Sequence, residues 1–174
     1  MAAIRSNLGP IVVMGVSGCG KSTVGRELAR ALDLPYVEGD DLHPPQNVAL
    51  MAAGTPLGDT DRQGWLAAVA QRLSDDMARR RGVVVACSAL KRSYRDRLRA
   101  AAPDVLFVHL QGPQALLARR LAQRKGHYMP SALLQSQFDT LEPPLPDENA
   151  LQLDIGPRPT AIVAELLAAL KKRR

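Results

Sequence analysis

The sequence predicts an α/β protein in which a mainly parallel, five-stranded sheet lies between helices on both of its faces. Two observations support this prediction. Short apolar segments of strand length alternate with longer segments of helical periodicity along the whole chain. The first apolar segment, residues 11–14, leads directly into a glycine-rich loop and then into a helical pattern, an order typical of parallel sheets that helices cover on both faces.

Five segments are predicted as strands because they are short, mostly apolar and rich in branched side chains. They are residues 11–14, 34–38, 83–87, 105–110 and 151–155. Because strands and helices alternate, the strands should lie parallel to one another, with their carboxyl ends at one edge of the sheet.

Helical periodicity fills the segments between the predicted strands. The helix after the glycine loop has Val24, Leu28, Ala31 and Leu32 on one face. Further helices are predicted over residues 45–53, 61–81, 91–101, 113–124, 130–141 and 159–173. In the longest of them, Trp65 begins an apolar stripe at every fourth residue, which favours a place in the core over contact with a ligand.

Length and composition predict a single domain over residues 1–174, because no long linker or internal repeat divides the chain. Hydrophobic residues make up 46% of the chain, which favours a folded over a disordered protein. No apolar run approaches the roughly 20 residues that span a bilayer, and residues 1–10 lack the apolar core of a signal peptide. Cys19 and Cys87 are the only cysteines, and the simplest interpretation is that both are reduced thiols in a cytoplasmic protein. We expect no membrane partner.

The net charge of +6 and the pI near 9.8 are compatible with nucleic-acid binding or with an enzyme that handles anionic nucleotides. Aromatic residues make up only 3% of the chain, so no stacking platform for single strands is visible. The arginines are also spread over several predicted helices. We therefore expect no nucleic-acid partner.

Residues 15–22, Gly-Val-Ser-Gly-Cys-Gly-Lys-Ser, fit the phosphate-binding loop pattern Gly-x-x-x-x-Gly-Lys-Ser/Thr. The glycines let backbone N–H groups turn toward phosphates, and the start of the next helix adds partial positive charge. Lys21 can reach the β- and γ-phosphates of a nucleoside triphosphate, and the Ser22 hydroxyl can bind Mg²⁺. The predicted nucleotide-binding residues of this segment are Gly15, Val16, Ser17, Gly18, Cys19, Gly20, Lys21, Ser22 and Thr23.

Two acidic residues follow the second predicted strand, at the edge of the sheet where ligands of parallel sheets bind. Glu38 and Asp40 alternate there, so one could hold a Mg²⁺-bound water while the other accepts the proton of a substrate hydroxyl. Asp41 either takes part in one of these two roles or caps the next helix. His43, in the same loop, is either a turn residue or a hydrogen-bond partner of the substrate.

Lys91 and Arg92 begin the helix that follows the third predicted strand, where positive charge opposes the helix dipole. A nearby anion, such as a substrate carboxylate, would explain at least one of them. The alternative is a solvated pair that the helix tolerates at small cost.

A basic segment, about residues 119–130, ends one predicted helix and enters a loop that contains a glycine. Its cationic and imidazole side chains are Arg119, Arg120, Arg124, Lys125 and His127. This composition predicts a mobile basic lid over the triphosphate. The alternative is a surface helix whose cations stabilise its C-terminus.

Two absences exclude other nucleotide-binding classes. The third predicted strand does not end in Asp, so the Walker B carboxylate of motor ATPases is missing there. An Asp-x-x-Gly sequence at residues 61–64 does not follow an apolar strand, and no Asn-Lys-x-Asp motif for guanine is present. A small-molecule kinase fits these patterns better than a motor ATPase or a GTPase.

Several blocks of the sequence together resemble the gluconokinase family. Besides the phosphate loop, they are residues 38–44 (Glu-Gly-Asp-Asp-Leu-His-Pro), 56–66, 87–96 (Cys-Ser-Ala-Leu-Lys-Arg-Ser-Tyr-Arg-Asp), 124–127 (Arg-Lys-Gly-His) and 136–143. The resemblance extends from about residue 11 to residue 155. It implies a P-loop kinase fold similar to that of shikimate kinases, with ATP and Mg²⁺ as cosubstrates.

The resemblance further implies that D-gluconate is phosphorylated at its terminal hydroxyl to 6-phosphogluconate, which feeds gluconate catabolism and the pentose phosphate pathway. A cytoplasmic homodimer is implied as well. The nearest alternative is another small-molecule kinase of the shikimate-kinase type, and a second is a nucleotide-dependent nucleic-acid-binding protein. Arg62 and Lys91 could pair with a carboxylate, which favours an acidic substrate over a neutral one.

The resemblance also implies roles for individual residues. By analogy with the related shikimate kinases, Asp40 is expected as base and substrate anchor, and Glu38, where many relatives carry Asp, as a residue that holds Mg²⁺ through water. Arg120 is expected as a lid cation on the nucleotide. The expected catalytic residues are Lys21, Asp40 and Arg124. The expected substrate-binding residues are Asp40, His43, Arg62, Lys91, Arg124, His127 and Gln137.

Overall fold

The computed structural model describes residues 8–123 and 131–173, with the backbone alone for residues 131 and 132. Its strands form one five-stranded sheet. They are β1 (Ile11–Met14), β2 (Tyr36–Glu38), β3 (Val84–Ala86), β4 (Leu106–Gln111) and β5 (Ala150–Asp154). Their order in the sheet is β2-β3-β1-β4-β5, and all four neighbouring pairs are parallel.

The helices that connect the strands cover both faces of the sheet. They are α1 (Lys21–Leu32), α2 (Pro45–Ala52), α3 (Asp59–Ala78), α4 (Arg92–Ala101), α5 (Gln114–Ala122), α6 (Ser131–Thr140) and α7 (Pro159–Lys172). A 3₁₀ turn, Gly39–Leu42, follows β2.

Alternate residues of the central strands belong to two separate cores, because successive side chains of a strand point to opposite faces. On one face, Ile11 and Val13 pack with α1, α5 and α7. On the other, Val12 and Met14 pack with α3 and α4, where Trp65 is fully buried. The predicted fold class, a parallel α/β sheet with helices on both faces, is therefore confirmed, as is the place of Trp65 in the core.

The largest difference between the predicted and observed elements concerns α3. The helix begins at Asp59 rather than residue 61, and the Asp61 carboxylate accepts a hydrogen bond from Gly58 N at 2.8 Å in a capping arrangement. It ends at Ala78 rather than residue 81, because Arg80 adopts a left-handed backbone with φ 51°.

The parallel register brings the carboxyl ends of β1, β2 and β3 to one edge of the sheet. Val13 and Glu38 both lie opposite Ala86, so the phosphate loop, the 3₁₀ turn and the segment after β3 start side by side. The two cysteines, Cys19 and Cys87, are free and buried at this edge, as expected.

Candidate active site

The phosphate loop joins β1 to α1 and requires glycine at its first position. Gly15 has φ 135°, and a Cβ atom there would lie 2.6 Å from the Leu110 carbonyl oxygen and 2.9 Å from Cys19 Sγ. Only a residue without a side chain therefore allows the loop to pass this close to β4. The next helix, α1, begins at Lys21 without a side-chain cap. Its first N–H groups thus remain available to an anion.

Lys21 lies over the phosphate loop and donates a hydrogen bond from Nζ to the Val16 carbonyl oxygen at 3.1 Å. The side chain is half-buried and makes no ion pair with a carboxylate among the residues that the structure describes. Its charge is therefore held above the loop by a neutral acceptor, which a phosphate oxygen can replace.

Gln137, on α6, lies against the phosphate loop. Its Oε1 accepts a hydrogen bond from the Ser17 backbone N–H at 2.7 Å, and its Nε2 donates to the Ser17 hydroxyl at 3.1 Å. The expected contact between Gln137 and a sugar acid stays a prediction, since both polar atoms of the amide bind the loop here. The helix that follows the predicted lid is thereby tied to the nucleotide side of the site.

Ser22 and Glu38, the two expected Mg²⁺ residues, are linked by Tyr36. The Tyr36 phenol donates to Glu38 Oε2 at 2.7 Å and also contacts the Ser22 hydroxyl. Burial raises the pKa of Tyr36, and the Glu38 carboxylate raises it further, so the phenol stays protonated. A hydroxyl and a carboxylate fit Mg²⁺, which prefers oxygen ligands and takes few of them from protein beside substrate phosphates. No group of three or more His, Cys, Asp or Glu side chains suited to a metal occurs in the described ranges.

Asp40 lies in the 3₁₀ turn directly after β2, where its side chain is exposed. Its carboxylate has no hydrogen bond or ion pair with any residue in the described part of the chain, so it is available to a substrate hydroxyl. The turn is fixed beside it: a Cβ atom on Gly39 would lie 2.2 Å from the Ala86 carbonyl oxygen, and Trp65 Nε1 donates to the Gly39 carbonyl at 2.7 Å. Burial raises the pKa of the neighbouring Cys87 thiol to about 12, so Cys87 stays a thiol.

His43 follows the 3₁₀ turn and is half-buried between two helices. Its ring stacks on Trp65 of α3, with 4.4 Å between ring centroids and 12° between ring planes. Its Nδ1 lies 3.2 Å from Asn47 Nδ2 of α2. Burial lowers the pKa of His43; Asp40 raises it and Arg62 lowers it. The net shift is downward, so the imidazole is neutral at pH 7.

Lys91 precedes α4 and is paired within the protein. Its Nζ lies 2.8 Å from both carboxylate oxygens of Asp59, which also accepts a short hydrogen bond from the Tyr94 hydroxyl. Arg62, from the second turn of α3, lies over the ring of Tyr94 with 6.0 Å to the centroid, and its Nε donates to the Leu57 carbonyl at 3.3 Å. Arg62 has no carboxylate partner among the described side chains.

Arg92, the first residue of α4, also has an internal anion. Its guanidinium forms two hydrogen bonds with Asp147, at 3.2 and 2.5 Å, and its backbone N–H donates to Glu142 at 2.6 Å. These carboxylates offset the unfavourable helix dipole at this position. Asp59 and Asp147 therefore supply negative charge beside both cations, and the expected contact between Lys91 and a substrate carboxylate stays a prediction.

The described part of the predicted lid is the end of α5. Arg120 donates from Nη2 to the Ile155 carbonyl at 2.7 Å, which ties it to the segment after β5. Arg124 and His127, expected at the transferring phosphoryl group and the substrate, lie outside the described residues. The roles of all three residues stay predictions.

Sequence reasoning missed three side chains of this site: Tyr36, Asn47 and Asp59. The signals for two of them were present. Tyr36 precedes Glu38 by two residues on a strand, so the two side chains share a face, and Asn47 follows His43 by about one helical turn. Nothing in the sequence indicated Asp59, whose partner Lys91 is 32 residues away.

Comparison with known proteins agrees with this geometry. A family model described as an AAA domain matches residues 11–144, a range that includes the phosphate loop and the segments after β2 and β3. A gluconokinase of Gluconobacter oxydans is 46% identical over 157 residues, which cover 90% of this chain and 88% of the relative.

Solved structures are similar over nearly the whole chain. The crystal structure of a gluconokinase from Sinorhizobium meliloti 1021 has a TM-score of 0.88 and 50% sequence identity, covering 97% of this chain and 94% of that one. A shikimate kinase from Aquifex aeolicus has a TM-score of 0.65 at 16% identity, covering 94% of this chain and 97% of that one. That second likeness shows a shared fold only.

Proposed function

This chain belongs to the gluconokinase family, and from this premise we propose that it transfers the γ-phosphoryl group of ATP to D-gluconate, giving 6-phospho-D-gluconate. The observation that carries the proposal is the juxtaposition of three features: a phosphate loop, the Asp40 carboxylate, which has no partner among the described residues, and the Arg62 guanidinium, which has no described carboxylate partner. The phosphate loop suits a phosphoryl donor, Asp40 suits an acceptor hydroxyl, and Arg62 suits an acidic substrate.

ATP is held by residues 15–23 in this proposal. The backbone N–H groups of the loop and of the first turn of α1 bind phosphate oxygens, and Lys21 exchanges the Val16 carbonyl for an oxygen of the β- or γ-phosphate. Gln137, through its two hydrogen bonds to Ser17, holds the loop in the conformation that receives the phosphates.

Ser22 and Glu38 are the residues that would hold Mg²⁺, Ser22 through its hydroxyl and Glu38 through water. The Tyr36 hydroxyl keeps these two oxygen-bearing groups together. Bound Mg²⁺ supplies positive charge that neutralises the phosphate oxygens during transfer.

Asp40 orients the terminal hydroxyl of gluconate and accepts its proton. The rigid turn around Gly39, held by the hydrogen bond from Trp65, fixes the direction from which the hydroxyl approaches. Lys21, Arg120 and Arg124 neutralise the charge that spreads over the equatorial oxygens in the transition state. His43, Arg62, Lys91 and His127 bind the sugar acid, and residues 119–130 act as the lid.

The assembly and context are proposals that the family alone supports: a cytoplasmic homodimer whose product enters gluconate catabolism and the pentose phosphate pathway. In the part of the chain that the structure describes, no helix is both long and apolar enough to cross a bilayer. Nucleic acid has no place in the proposed reaction, since the basic residues of the site all serve small anions.

The test is a coupled assay of ADP formation with gluconate, shikimate, glycerate and AMP as acceptors, combined with identification of the product. We expect phosphorylation of gluconate at its terminal hydroxyl, dependent on Mg²⁺, and little activity with the other three. Faster turnover of shikimate, glycerate or AMP than of gluconate would refute the assignment. Stimulation of ATP hydrolysis by RNA or DNA would instead indicate a nucleotide-dependent nucleic-acid-binding protein.

A further inference from the structure

The imidazole of His43 is held from two sides by residues that come from different helices. Trp65 of α3 covers one face of the ring, and the side chain of Asn47 in α2 reaches the ring nitrogen Nδ1 at 3.2 Å. No described residue makes a hydrogen bond to the other ring nitrogen, Nε2. That nitrogen is also not among the buried polar atoms that lack a partner, so it is open to solvent or to a ligand.

The orientation of the Asn47 amide follows from its second contact. Asn47 is 1% exposed, and its Nδ2 donates to the Asp61 backbone carbonyl at 2.8 Å. A carbonyl oxygen can only accept a hydrogen bond, so the amide nitrogen, and not the amide oxygen, must lie on this side. The same nitrogen therefore directs its second hydrogen toward His43 Nδ1.

A donor opposite Nδ1 determines the protonation of the ring. Nδ1 must offer its lone pair to Asn47, which leaves the single proton of the neutral imidazole on Nε2. We propose that Asn47 is a positioning residue that fixes His43 as the Nε2–H tautomer, so that His43 donates a hydrogen bond to an acceptor oxygen of the sugar acid. This inference rests on the proposed function for the identity of the substrate, but the tautomer itself does not.

The charged groups around the ring agree with a neutral donor. Asp40 faces it from the 3₁₀ turn and Arg62 from α3, and their effects on its pKa oppose each other. The third packed element, α2, contains no charged residue. Because these two effects oppose each other, burial determines the direction of the net shift and keeps the pKa of His43 below its ordinary value of 6.5. The ring consequently stays neutral, with one fixed donor, across the pH range near 7.

The direct test is ¹⁵N NMR of the histidine rings in the intact protein at pH 7.5. The chain has three histidines, and loss of one set of signals in His43→Gln assigns those of His43. We expect a protonated Nε2 and an unprotonated Nδ1, with the Nε2 signal shifting when gluconate is added. A ring protonated on Nδ1, on both nitrogens, or unaffected by gluconate would overturn the proposal.

The kinetic test is Asn47→Asp, which replaces the donor opposite Nδ1 by an acceptor of the same shape and also removes the hydrogen bond to the Asp61 carbonyl. The carboxylate draws the ring proton to Nδ1 and raises the pKa of His43, so the neutral ring presents a lone pair at Nε2 instead of a donor. We expect KM for gluconate to rise about three- to tenfold at pH 8, the loss of roughly one hydrogen bond, with little change in kcat. The KM of Asn47→Asp for gluconate should fall again as the pH decreases, because the ring then gains its second proton and Nε2 is again a donor.

Gln46→Glu is the matched control, because it adds the same charge on the exposed side of the same helix. Its KM should follow that of the parent at every pH. A pH-independent KM in Asn47→Asp, or an effect on kcat alone, would contradict the positioning role. Failure of the parent to phosphorylate gluconate would refute the proposed function instead, and the NMR result for the tautomer would be unaffected by it.

Discussion

Lys91 and Asp59 form an ion pair in which Nζ lies 2.8 Å from both carboxylate oxygens. The hydrogen bond from Lys91, together with that from the Tyr94 hydroxyl, lowers the pKa of Asp59 below its usual value, so the pair is charged at neutral pH. Lys91 is thus partly neutralised before any substrate arrives. Arg62, which stacks over the same tyrosine without a described carboxylate partner, is the better candidate for pairing with a sugar acid.

Lys21→Ala should abolish phosphoryl transfer and leave the fold intact. Among the described residues the side chain makes one hydrogen bond, to the Val16 carbonyl, so its removal disturbs little, but it removes charge where charge develops in the transition state. Loss of such a group typically lowers kcat by about 10²–10³. Turnover and thermal melting should be measured beside Lys172→Ala, at an exposed position of α7. Turnover within about tenfold of the parent would contradict the assigned role.

Asp40→Asn should lower kcat by orders of magnitude and leave ATP affinity nearly unchanged. Asn keeps the shape of the side chain, but it cannot accept the proton of the substrate hydroxyl. The neighbouring exposed residue supplies the control, since Asp41→Asn makes the same chemical change one position away. Steady-state kinetics with ATP titration separate the alternatives: a variant that keeps kcat and loses ATP affinity would make Asp40 a nucleotide-side residue.

The sequence predicted the order of the elements because buried parallel strands and amphipathic helices leave strong local patterns. Strand β1, for example, was predicted as Ile11–Met14 and has those bounds in the structure. The phosphate loop and the Glu38 to His43 segment were predicted as parts of the site because the carboxyl ends of parallel strands share one edge.

The partners of individual side chains were not predicted, because they depend on packing between distant segments. Gln137 and Ser17 are 120 residues apart and meet only when α6 lies against the phosphate loop. The same holds for the pairs Lys91–Asp59 and Arg92–Asp147, because the sequence left open whether a substrate carboxylate or solvent lies beside these cations. Cations at a helix start favour a nearby anion, but they do not show whether the protein or the ligand provides it.

Arg95→Met should destabilise the protein by about 3–5 kcal/mol, the usual cost of breaking a buried ion pair. Arg95 and Glu148 are fully buried at the side chain, and Arg95 Nε and Nη2 lie 2.6 and 2.8 Å from the two oxygens of Glu148. Its Nη1 also donates hydrogen bonds to the carbonyls of Ala89 and Leu90, which directly precede Lys91 in the chain. Urea unfolding is the measurement, with Arg97→Met on the exposed side of α4 as the control. Equal stability of the two variants would contradict the prediction.

His109 should make the protein less stable as the pH falls from 6.5 to 4. Burial, and to a lesser extent the Arg95 guanidinium, lowers its pKa from 6.5 to about 4. In that window the unfolded chain binds a proton that the folded chain does not, so stability is lost as the pH falls, by about 3 kcal/mol at most. His43, whose pKa is also lowered, acts in the same direction.

Urea unfolding between pH 4.5 and 7.5 measures the contribution of His109. In His109→Phe, which cannot be protonated, the slope of the unfolding free energy with pH should be smaller than in the parent. Parent and variant curves of equal slope would show that the ring is already protonated in the folded protein or exposed to solvent.

The last prediction concerns how the site distinguishes gluconate from neutral glucose. If Arg62 pairs with the carboxylate of gluconate, glucose leaves that cation unpaired and should be a poor substrate. Arg62→Met should raise KM for gluconate about 10- to 100-fold, the range for a hydrogen bond to a charged group, and should narrow the advantage of gluconate over glucose.

Lys91→Met is the matched comparison, since it removes the neighbouring cation that already has Asp59 as a partner. Its effect on the ratio of kcat/KM for gluconate to that for glucose should be the smaller of the two, because Asp59 competes with the substrate for Lys91. A larger effect in Lys91→Met would transfer the carboxylate contact to Lys91. Equal kcat/KM for gluconate and glucose in the parent would overturn the sugar-acid assignment altogether, while the phosphate loop and Lys21 would still define a kinase.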